Sequence, residues 1–472
     1  MADDRFDLAS ARAVHIVGAG GSGMSAIATV IAAMGKRVTG SDLKDSAALR
    51  RLAAAGVETQ VGHRAENVGD VDAVAISTAV PQRNPEVVAA TTRGIRVLRR
   101  ADLLSAICAT RHTVAVAGTH GKTTTSSMLA MILVEAGLHP SFLVGGDLND
   151  VGGGAVWDAD HPDAPFVVEA DESDGTFVEL GARDVIVTNV EADHLDHWGD
   201  FANLTAGFAR FVNDAPGISL VGIDDQGGAA LAGATGATTF GTAASADWRL
   251  SDVRAARSGS HLVVAHYGDT VAEVELAAPG MHNARNALAA IAMAAELGAP
   301  VDSAVRALER YAGVARRWQY RGEAGGVTFV DDYAHLPTEV SMATATAREG
   351  GWGRVVVVFQ PHRFSRTAAL WREFADAFQG ADLLVLTDVY SAGESPRPGV
   401  SGKLIVNAVL DAHPMQRVAW LPARRDLVSY LERALRSGDL CLTLGAGDLT
   451  SLPDELLPLL ARRDLGRGPV AV

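Results

Sequence analysis

Short apolar runs alternate with helical stretches over the first hundred residues. The runs RAVHIVGAG, KRVTGSD and DAVAIS have the length of buried strands, and each is followed by glycine or polar residues. The stretch 24–34 and the segment AALRRLAAAG have the composition of helices and lie between these runs. This order predicts β-α-β units, which build a parallel sheet with helices on its faces.

The same alternation restarts twice along the chain. A second cycle runs from HTVAVAGTHGKTTT through SSMLAMILVEAG to the strands APFVVEAD and DVIVTNVEAD, and a third contains VTFVDD, RVVVVFQPHR, DLLVLTDV and DLCLTLGAGD. Shorter alternating runs over 218–277 predict a small antiparallel insert. We therefore predict an α/β fold of three domains: a Rossmann-like domain over 1–106, a P-loop ATPase-like domain over 107–318 and a Rossmann-like domain over 319–472.

Composition and charge narrow the function classes. A chain of 472 residues exceeds one hydrophobic core, and its net charge of −15 disfavours a nucleic-acid partner. No apolar run approaches the roughly 20 residues of a membrane helix, and the start MADDRFD is unlike a signal peptide. Two cysteines, Cys108 and Cys441, exclude a disulfide framework. We expect a cytoplasmic protein without a membrane or nucleic-acid partner.

The segment GTHGKTTT lies between a predicted strand and a predicted helix. Its backbone N–H groups can surround phosphates, Lys122 can neutralise them, and the Thr123 hydroxyl can bind Mg²⁺. Full Walker spacing would place glycine at position 116, where Val116 stands, so the loop is a shortened form. An ordinary strand–helix turn is the alternative, but a lysine with three threonines gives such a turn little packing benefit.

Two acidic segments, EADESD and NVEADHLDHW, follow predicted strands directly. Their candidate metal ligands are Glu169, Asp171, Glu172, Asp174, Asn189, Glu191, Asp193, His194, Asp196 and His197. Mg²⁺ prefers oxygen ligands near a nucleotide, and a neutral histidine can complete a less strict second site. Solvated acidic turns are the alternative, and the preceding phosphate loop makes the metal interpretation the stronger one.

Three later segments carry polar clusters. HNARN opens a helix with His282, Asn283 and Asn286, which suit either a base edge or a simple cap. VDDYAHLPTE and FQPHRFSRT each follow a strand and bring together Asp331, Asp332, Tyr333, His335, His362, Arg363 and Arg366. Arginine forks suit a carboxylate or a phosphate, although a solvated surface would also accept them.

The segment HIVGAGGSGM fits the dinucleotide-binding pattern G-x-G-x-x-G through Gly18, Gly20 and Gly23. Asp42 follows nineteen residues later, as a ribose-binding acid would. An NAD-dependent oxidoreductase is therefore one hypothesis, but it leaves GTHGKTTT and both acidic segments unexplained. A non-enzymatic ATPase switch is another, and it would turn over ATP without a second substrate.

In this order the motifs resemble the Mur ligases, ATP-dependent amide-forming enzymes of bacterial cell-wall precursor synthesis. The resemblance extends from His15 to Asp448 and also includes GVARRWQ, DVYSAGESP and GAGD. It is strongest to the members that act first in the pathway. It implies that ATP phosphorylates the lactyl carboxylate of UDP-N-acetylmuramate and that L-alanine attacks the acyl phosphate, giving an amide, ADP and phosphate.

The resemblance also implies a role for individual positions. Lys122, Glu169, His194 and Arg317 would be catalytic. Two Mg²⁺ sites, with Mn²⁺ as a substitute, would use Thr123, Glu169 and His194, and Asp193 would help to orient the metal site. ATP would contact Gly118, Thr119, His120, Gly121, Lys122, Thr123, Thr124, His282, Asn286, Arg317, Asp332 and Tyr333. The UDP-sugar would contact Gly18, Gly20, Gly21, Ser22, Gly23, Ser41, Asp42 and Ser77. L-Alanine would contact His335, His362, Arg363 and Arg366. We expect a monomer or weak homodimer.

Two departures and two related activities bear on this assignment. Leu336 stands where this group often has a second histidine, and no lysine lies between Lys122 and Lys403 to provide the carbamylated lysine of several sister ligases. A ligase that attaches recycled murein tripeptide to the same UDP-sugar is the main alternative. A folylpolyglutamate synthetase would lack the N-terminal nucleotide-sugar domain.

Overall fold

The computed structural model describes residues 5–465, apart from the side chains of Ser22, Asp196 and residues 463–465. The chain forms two compact units. The first comprises residues up to Asp252, Leu262–Val274 and Arg285–Ala312, and the second comprises Val253–His261, Glu275–Ala284 and residues from Gly313 onward. Within the described range, every helix is too short or too polar to cross a bilayer. The predicted α/β class is confirmed, and the predicted boundaries near residues 106 and 318 stay predictions.

A five-stranded parallel sheet begins the chain. Its strands have the order β3-β2-β1-β4-β5. The elements are β1 (Ala13–Val17), α1 (Ser22–Ala33), β2 (Arg37–Asp42), α2 (Ala47–Ala54), β3 (Glu58–Val61), β4 (Ala73–Ile76), α3 (Pro85–Thr92), β5 (Arg96–Arg99) and α4 (Arg100–Cys108). All five residues of β1 are buried. The strand order reverses between β1 and β4, which is where open α/β sheets bind ligands.

A ten-stranded sheet follows, in the order β15-β14-β13-β12-β11-β10-β6-β9-β7-β8. Its elements are β6 (Thr113–Ala117), α5 (Lys122–Glu135), β7 (Ser141–Leu148), β8 (Gly153–Val156), β9 (Phe166–Glu169), β10 (Asp184–Val187), α6 (Leu195–Trp198), α7 (Phe201–Asn213), β11 (Ser219–Gly222), α8 (Gln226–Thr235), β12 (Thr238–Gly241), β13 (Trp248–Ala256), β14 (Gly259–His266), β15 (Asp269–Leu276), α9 (Met281–Glu296) and α10 (Val301–Glu309). β7, β9, β6 and β10 are parallel neighbours, and β8 pairs antiparallel with β7.

The prediction of an antiparallel insert over 218–277 is wrong for the first part of that range, which contains β11 and β12. β11 pairs parallel with β10, and β12 pairs parallel with β11, so both strands extend the parallel part of the ten-stranded sheet. These strands have four residues each, and α8 between them is rich in glycine and alanine, so the local pattern gave no clear helix signal. β13, β14 and β15 continue the sheet beyond β12 as successive neighbours.

The second unit contains a six-stranded sheet in the order β16-β17-β21-β18-β19-β20. Its elements are β16 (Gln319–Ala324), β17 (Val327–Asp332), α11 (Pro337–Glu349), β18 (Arg354–Phe359), α12 (Phe364–Leu370), β19 (Leu383–Leu386), α13 (Lys403–Ala412), β20 (Val418–Trp420), α14 (Arg424–Ala434), β21 (Asp439–Leu444) and α15 (Leu452–Leu465). β16 is antiparallel to β17, and the other pairs are parallel. Val357 and Val358 pack into separate cores on the two faces.

Candidate active site

The first glycine loop is bound to the end of β2. The N–H groups of Gly18 and Ala19 donate to the Ser41 carbonyl at 2.8 and 2.9 Å, and Gly18 has a φ of 78°. Gly20 donates to Asp42 Oδ2 at 2.9 Å, and a Cβ at position 20 would lie 2.8 Å from that oxygen. Asp42 therefore stabilises the loop conformation through its hydrogen bond to Gly20.

The remaining predicted residues of this loop lie around it. Gly21 precedes α1 and donates to the Gly18 carbonyl at 3.1 Å, and Ser77 Oγ is 3.9 Å from a Cβ built on Gly18. The Ser22 side chain lies outside the described residues. The loop, the helix start and Ser77 thus share the carboxyl edge of the first sheet, where the sequence predicts a diphosphate.

Ser41 belongs to a buried polar network that sequence reasoning missed. Its hydroxyl donates to Glu86 Oε2 at 2.6 Å, and His63 Nδ1 lies 3.1 Å from the same oxygen. Burial would raise the pKa of Glu86, but His15, Ser41 and Asn67 outweigh it and hold that pKa at about 2. Glu86 is therefore a buried carboxylate that fixes the predicted UDP-sugar contact Ser41.

Arg100 is a second residue that the motifs did not reveal. Its Nη2 lies 3.7 Å from Asp171 Oδ2 and 3.9 Å from Asp174 Oδ2. Its Nη1 lies 3.3 Å from a Cβ built on Gly23. A cation thus stands between the first glycine loop and the acidic segment after β9. In the sequence it is one of two adjacent arginines, a pattern shared by many surfaces.

The phosphate loop is braced by the residues after β10. Gly118 has a φ of 126°, and a Cβ there would lie 2.9 Å from the Thr188 nitrogen. The N–H groups of Thr119 and His120 donate to the main-chain and side-chain oxygens of Asn189, at 3.2 and 2.9 Å. Gly121 then begins α5 with a φ of 82°. The loop is preorganised for an anion at a helix N-terminus.

Lys122 lies at the centre of a group of carboxylates. Its Nζ donates to the Gly118 carbonyl at 2.6 Å, to the Thr119 carbonyl at 3.1 Å and to Glu172 Oε1 at 3.0 Å. Burial would lower the pKa of Lys122, but the charges of Glu172, Glu169 and Asp171 outweigh it and raise that pKa. The ammonium stays charged at neutral pH and can exchange carboxylate partners for phosphate.

The predicted metal ligands belong to the same unit as the loop. Thr123 is buried in the first turn of α5. Glu169, at the end of β9, accepts the Gly145 N–H at 2.8 Å, and His194 Nε2 lies 3.3 Å from Asp193 Oδ2. Carboxylates close enough to raise the pKa of Lys122, together with a buried threonine hydroxyl, form an oxygen-rich donor set that suits Mg²⁺.

The two predicted adenine contacts fall in different units. Asn286 is buried, and its Oδ1 lies 2.3 Å from a Cβ built on Gly121, so its amide packs against the phosphate loop. His282 belongs to the second unit and lies beside Gly280, with Cε1 2.9 Å from a Cβ built there. Asn283, the possible cap, donates to the Pro279 carbonyl at 2.7 Å.

In the second unit Asp332 receives two main-chain N–H groups. Trp318 donates at 2.7 Å and Ala334 at 2.8 Å. Burial raises the pKa of Asp332 to about 6, although Arg317 opposes it. The guanidinium groups of Arg317 and of the unpredicted Arg316 lie 5.0 and 4.8 Å from the Tyr333 ring centre. Arg317, Asp332 and Tyr333, which the resemblance assigns to ATP, thus lie close together in the second unit.

The four predicted alanine contacts also cluster. The rings of His335 and His362 lie 5.6 Å apart, and Arg366 Nη1 is 3.3 Å from His362 Nδ1. Arg363 has a φ of 69°, strained for a residue other than glycine, and its N–H donates to the Tyr390 carbonyl at 2.8 Å. Strain of this kind is concentrated at functional sites.

Both imidazoles of this cluster are kept neutral. Burial lowers the pKa of His335 against the opposing charge of Glu339. Burial also lowers the pKa of His362 to about 4, and His335 and Arg366 act in the same direction. Neutral rings beside arginines form a polar cluster in which the guanidinium groups carry the positive charge, which suits a carboxylate ligand.

Asp332 and His362 make opposite contributions to the pH dependence of stability. His362 binds a proton on unfolding between pH 4 and 6.5, so acidification through that window destabilises the unit. Asp332 releases a proton on unfolding between pH 3.8 and 6, so acidification there stabilises it. Each uncompensated proton is worth about 1.4 kcal/mol per pH unit.

We therefore expect Asp332→Asn to expose the loss of stability that protonation of His362 causes on acidification. Between pH 6 and 5 the unfolding free energy of this variant should fall by about 1 kcal/mol more than that of the parent chain. Urea denaturation at both pH values, followed by tryptophan fluorescence, measures the difference. Parallel pH profiles for the two proteins would show that the pKa of Asp332 is not raised.

Three parallel-type sheets, the first glycine loop and the predicted phosphate loop are together typical of a nucleotide-binding enzyme. Family models for the Mur ligase family catalytic domain, the Mur ligase middle domain and the Mur ligase glutamate ligase domain match residues 13–112, 116–294 and 316–447. These matches cover most of the chain. The chain therefore belongs to the Mur ligase family.

Individual relatives are similar over nearly their whole length. A UDP-N-acetylmuramate–L-alanine ligase from Kineococcus radiotolerans is 47% identical over 95% of this chain and 96% of its own. The crystal structure of a UDP-N-acetylmuramate–alanine ligase from Thermotoga maritima is 28% identical, with a TM-score of 0.79 over 97% and 100% of the two chains. A murein peptide ligase from Psychrobacter arcticus is 26% identical, with a TM-score of 0.66 over 98% and 100%.

Proposed function

We propose that this chain joins L-alanine to the lactyl carboxylate of UDP-N-acetylmuramate and converts ATP to ADP and phosphate. The observation that carries the proposal is the Lys122 centre. A partly buried, charged lysine on a phosphate loop, with Glu169, Asp171 and Glu172 acting on it, suits a nucleoside triphosphate with a divalent cation. The similarity to L-alanine ligases over 95% of the chain supports this substrate pair.

The reaction we assign has two steps. A carboxylate oxygen of the UDP-sugar attacks the γ-phosphorus of ATP, the bond to the ADP oxygen breaks, and an acyl phosphate forms. The amine of L-alanine then attacks the acyl carbon, loses a proton and expels inorganic phosphate. A free carboxylate is inert to amines at neutral pH, so the phosphate serves as the leaving group. Catalysis depends on positioning and on neutralising crowded negative charge.

For ATP we assign the phosphate loop, together with the residues that the family resemblance gives to the nucleotide. Residues 118–124 would surround the phosphates, with main-chain N–H groups offered at the start of α5, and Lys122 would release Glu172 as it takes up the γ-phosphate. Asn286, packed against Gly121, supports a base contact near the loop. By the family resemblance, Arg317, Asp332, Tyr333 and His282 would also contact ATP.

We assign Thr123, Glu169 and His194 as the residues that hold Mg²⁺. Bound there, Mg²⁺ would neutralise charge on the phosphates and on the reacting carboxylate. Glu169 is held in place by the Gly145 N–H, and His194 has a left-handed φ of 53° that directs it from the turn before α6. The hydrogen bond therefore fixes Glu169 at the end of β9 before any ligand binds.

We assign the diphosphate of the UDP-sugar to the first glycine loop. Residues 18–23 carry the tight turn and the helix start that suit a pyrophosphate, with Ser77 at the neighbouring strand end. Asp42 and Ser41 support the loop through Gly20 and through the main chain. ATP is assigned to the phosphate loop, and no other feature described above favours NAD as the ligand of the first glycine loop.

The main alternative is ligation of a murein peptide, which the likeness to the Psychrobacter arcticus enzyme favours. ADP release measured with UDP-N-acetylmuramate and either L-alanine or murein tripeptide decides between the two. We expect release with L-alanine and little with tripeptide. Release only with tripeptide would transfer the assignment to peptide ligation.

The pocket of His335, His362, Arg363 and Arg366 should tolerate close analogues of L-alanine. Its charged groups suit the amino-acid carboxylate, and one methyl group provides only about 1–3 kcal/mol of discrimination. We therefore expect glycine and L-serine to be weaker substrates, with kcat/KM lower by roughly 10- to 200-fold. ADP-release assays with glycine, L-serine and L-leucine in place of L-alanine measure these values. Turnover of L-leucine equal to that of L-alanine would contradict this pocket.

A further inference from the structure

We propose that His139, Asp158 and His161 form a binding site for a transition-metal dication of the Zn²⁺ class. One ligand atom of each residue lies within 4.8 Å of the others. Asp158 Oδ2 lies 3.0 Å from His161 Nδ1 and 3.7 Å from His139 Nδ1. The two imidazole rings are stacked, with centroids 3.7 Å apart and planes 6° apart, so one of these exposed rings rotates when both direct a nitrogen lone pair at the same ion.

The site lies away from the proposed chemistry. His139 connects α5 to β7, while Asp158 and His161 lie in the connection from β8 to β9. These positions are near the amino ends of the parallel strands β7 and β9, because Ser141 pairs with Phe166 at the start of both. Glu169 lies at the opposite, carboxyl end of β9. A metal here would connect two loops without reaching the phosphate loop.

The carboxylate is already oriented by its surroundings. The Asp158 N–H donates to the buried Ser141 hydroxyl at 2.9 Å, and Arg111 donates to the Asp158 carbonyl. Asp158 Oδ1 accepts the N–H groups of Asp160 and His161, at 3.0 and 3.2 Å. Oδ2 is therefore the oxygen that faces both imidazoles. Such supporting hydrogen bonds fix ligands and raise metal affinity.

The donor set selects the kind of cation. Zn–N bonds of about 2.0–2.1 Å in a tetrahedral site place neighbouring donors about 3.3 Å apart. The distances of 3.0 and 3.7 Å to Asp158 Oδ2 lie on either side of that value. Two imidazoles and one carboxylate suit Zn²⁺, Ni²⁺ or Cu²⁺, whereas Mg²⁺ prefers oxygen ligands. Both histidines are exposed, so water can occupy the fourth position.

Zn²⁺ titration of the full-length, tag-free chain tests the site. The protein is stripped with chelator, held in excess Mg²⁺ and titrated against a chromophoric chelator, and Co²⁺ absorption reports the ligands. We expect His161→Ala, His139→Ala and Asp158→Asn each to lose one equivalent of Zn²⁺ relative to the parent. Asp158→Asn keeps an oxygen for the turn, so it changes the charge and not the fold. Ligase activity should be unchanged in all three.

His413→Ala is the matched control. His413 Nε2 lies 2.7 Å from Asp376 Oδ1 on the surface of the second unit, in a pair with a single imidazole. This variant should retain the full Zn²⁺ stoichiometry. The proposal is overturned if His161→Ala binds as many Zn²⁺ ions as the parent, if His413→Ala loses as many as His161→Ala, or if the parent binds none at micromolar free Zn²⁺. Failure there leaves the ligase assignment intact, because activity is measured separately.

Discussion

Lys122→Ala should reduce ligation by at least about 10³-fold, because it removes the cation that meets the transferring phosphate. UDP-N-acetylmuramate binding should stay nearly unchanged, since that ligand is assigned to the first glycine loop. Steady-state ADP release gives the first quantity and calorimetric titration of the UDP-sugar gives the second. Ligation near the parental rate would refute the role of Lys122, and lost UDP-sugar binding in a folded variant would refute the division between the two loops.

A second variant separates chemistry from folding. Lys122→Ala leaves the buried Glu172 carboxylate, 2% exposed, without its ion-pair partner. Such an uncompensated buried charge can cost about 3–5 kcal/mol of stability. Lys122→Met combined with Glu172→Gln removes both charges, so this double variant should be more stable than Lys122→Ala and equally inactive. Recovered activity in the double variant would mean that the single variant failed by unfolding.

Gly121→Ala should reduce kcat/KM for ATP by about 100-fold, the size of effect that a displacement of about 1 Å produces. Position 121 has a φ of 82°, and the added Cβ would lie 2.3 Å from Asn286 Oδ1. Either the loop or the Asn286 amide must shift. Both are assigned to ATP, so nucleotide binding should weaken. ATP titration of the activity and calorimetric ADP binding measure the change.

Gly137→Ala is the control for backbone strain. Gly137 follows the same helix, α5, and has a φ of 71°, with nothing within 4 Å of a built Cβ. Both variants place alanine in a left-handed conformation, at a cost of roughly 1–2 kcal/mol each. Only Gly121→Ala should lose ATP affinity. Equal ATP kinetics in the two variants would show that the contact between Gly121 and Asn286 does not control the loop.

Residues joined by local motifs were predictable from the sequence. The helix start at Lys122 is such a case, because glycines, lysine and threonines adjacent in the chain act together. Asp332 and Tyr333 were predicted as polar residues at a strand end, and the family resemblance added Arg317, which lies 5.0 Å from the Tyr333 ring centre. In these places the short-range pattern contains most of the geometry.

Residues that meet through the fold were not predictable in the same way. Glu86 lies at the start of α3, 45 positions from Ser41, and nothing in PEVVAATT marks it as buried. Arg100 required the packing of α4 to approach Asp171. Leu336, where a histidine was expected from the family, is buried and precedes α11, with Glu339 accepting its N–H at 3.2 Å. Packing therefore explains its apolar side chain.

The central claim is that ATP activates the UDP-sugar carboxylate for attack by L-alanine. Its most direct test is mass spectrometry of a reaction with ATP, L-alanine and UDP-N-acetylmuramate labelled with ¹⁸O in the lactyl carboxylate. The account predicts UDP-N-acetylmuramoyl-L-alanine together with inorganic phosphate that carries one ¹⁸O atom. Label found in AMP, or no amide product from L-alanine, would contradict it.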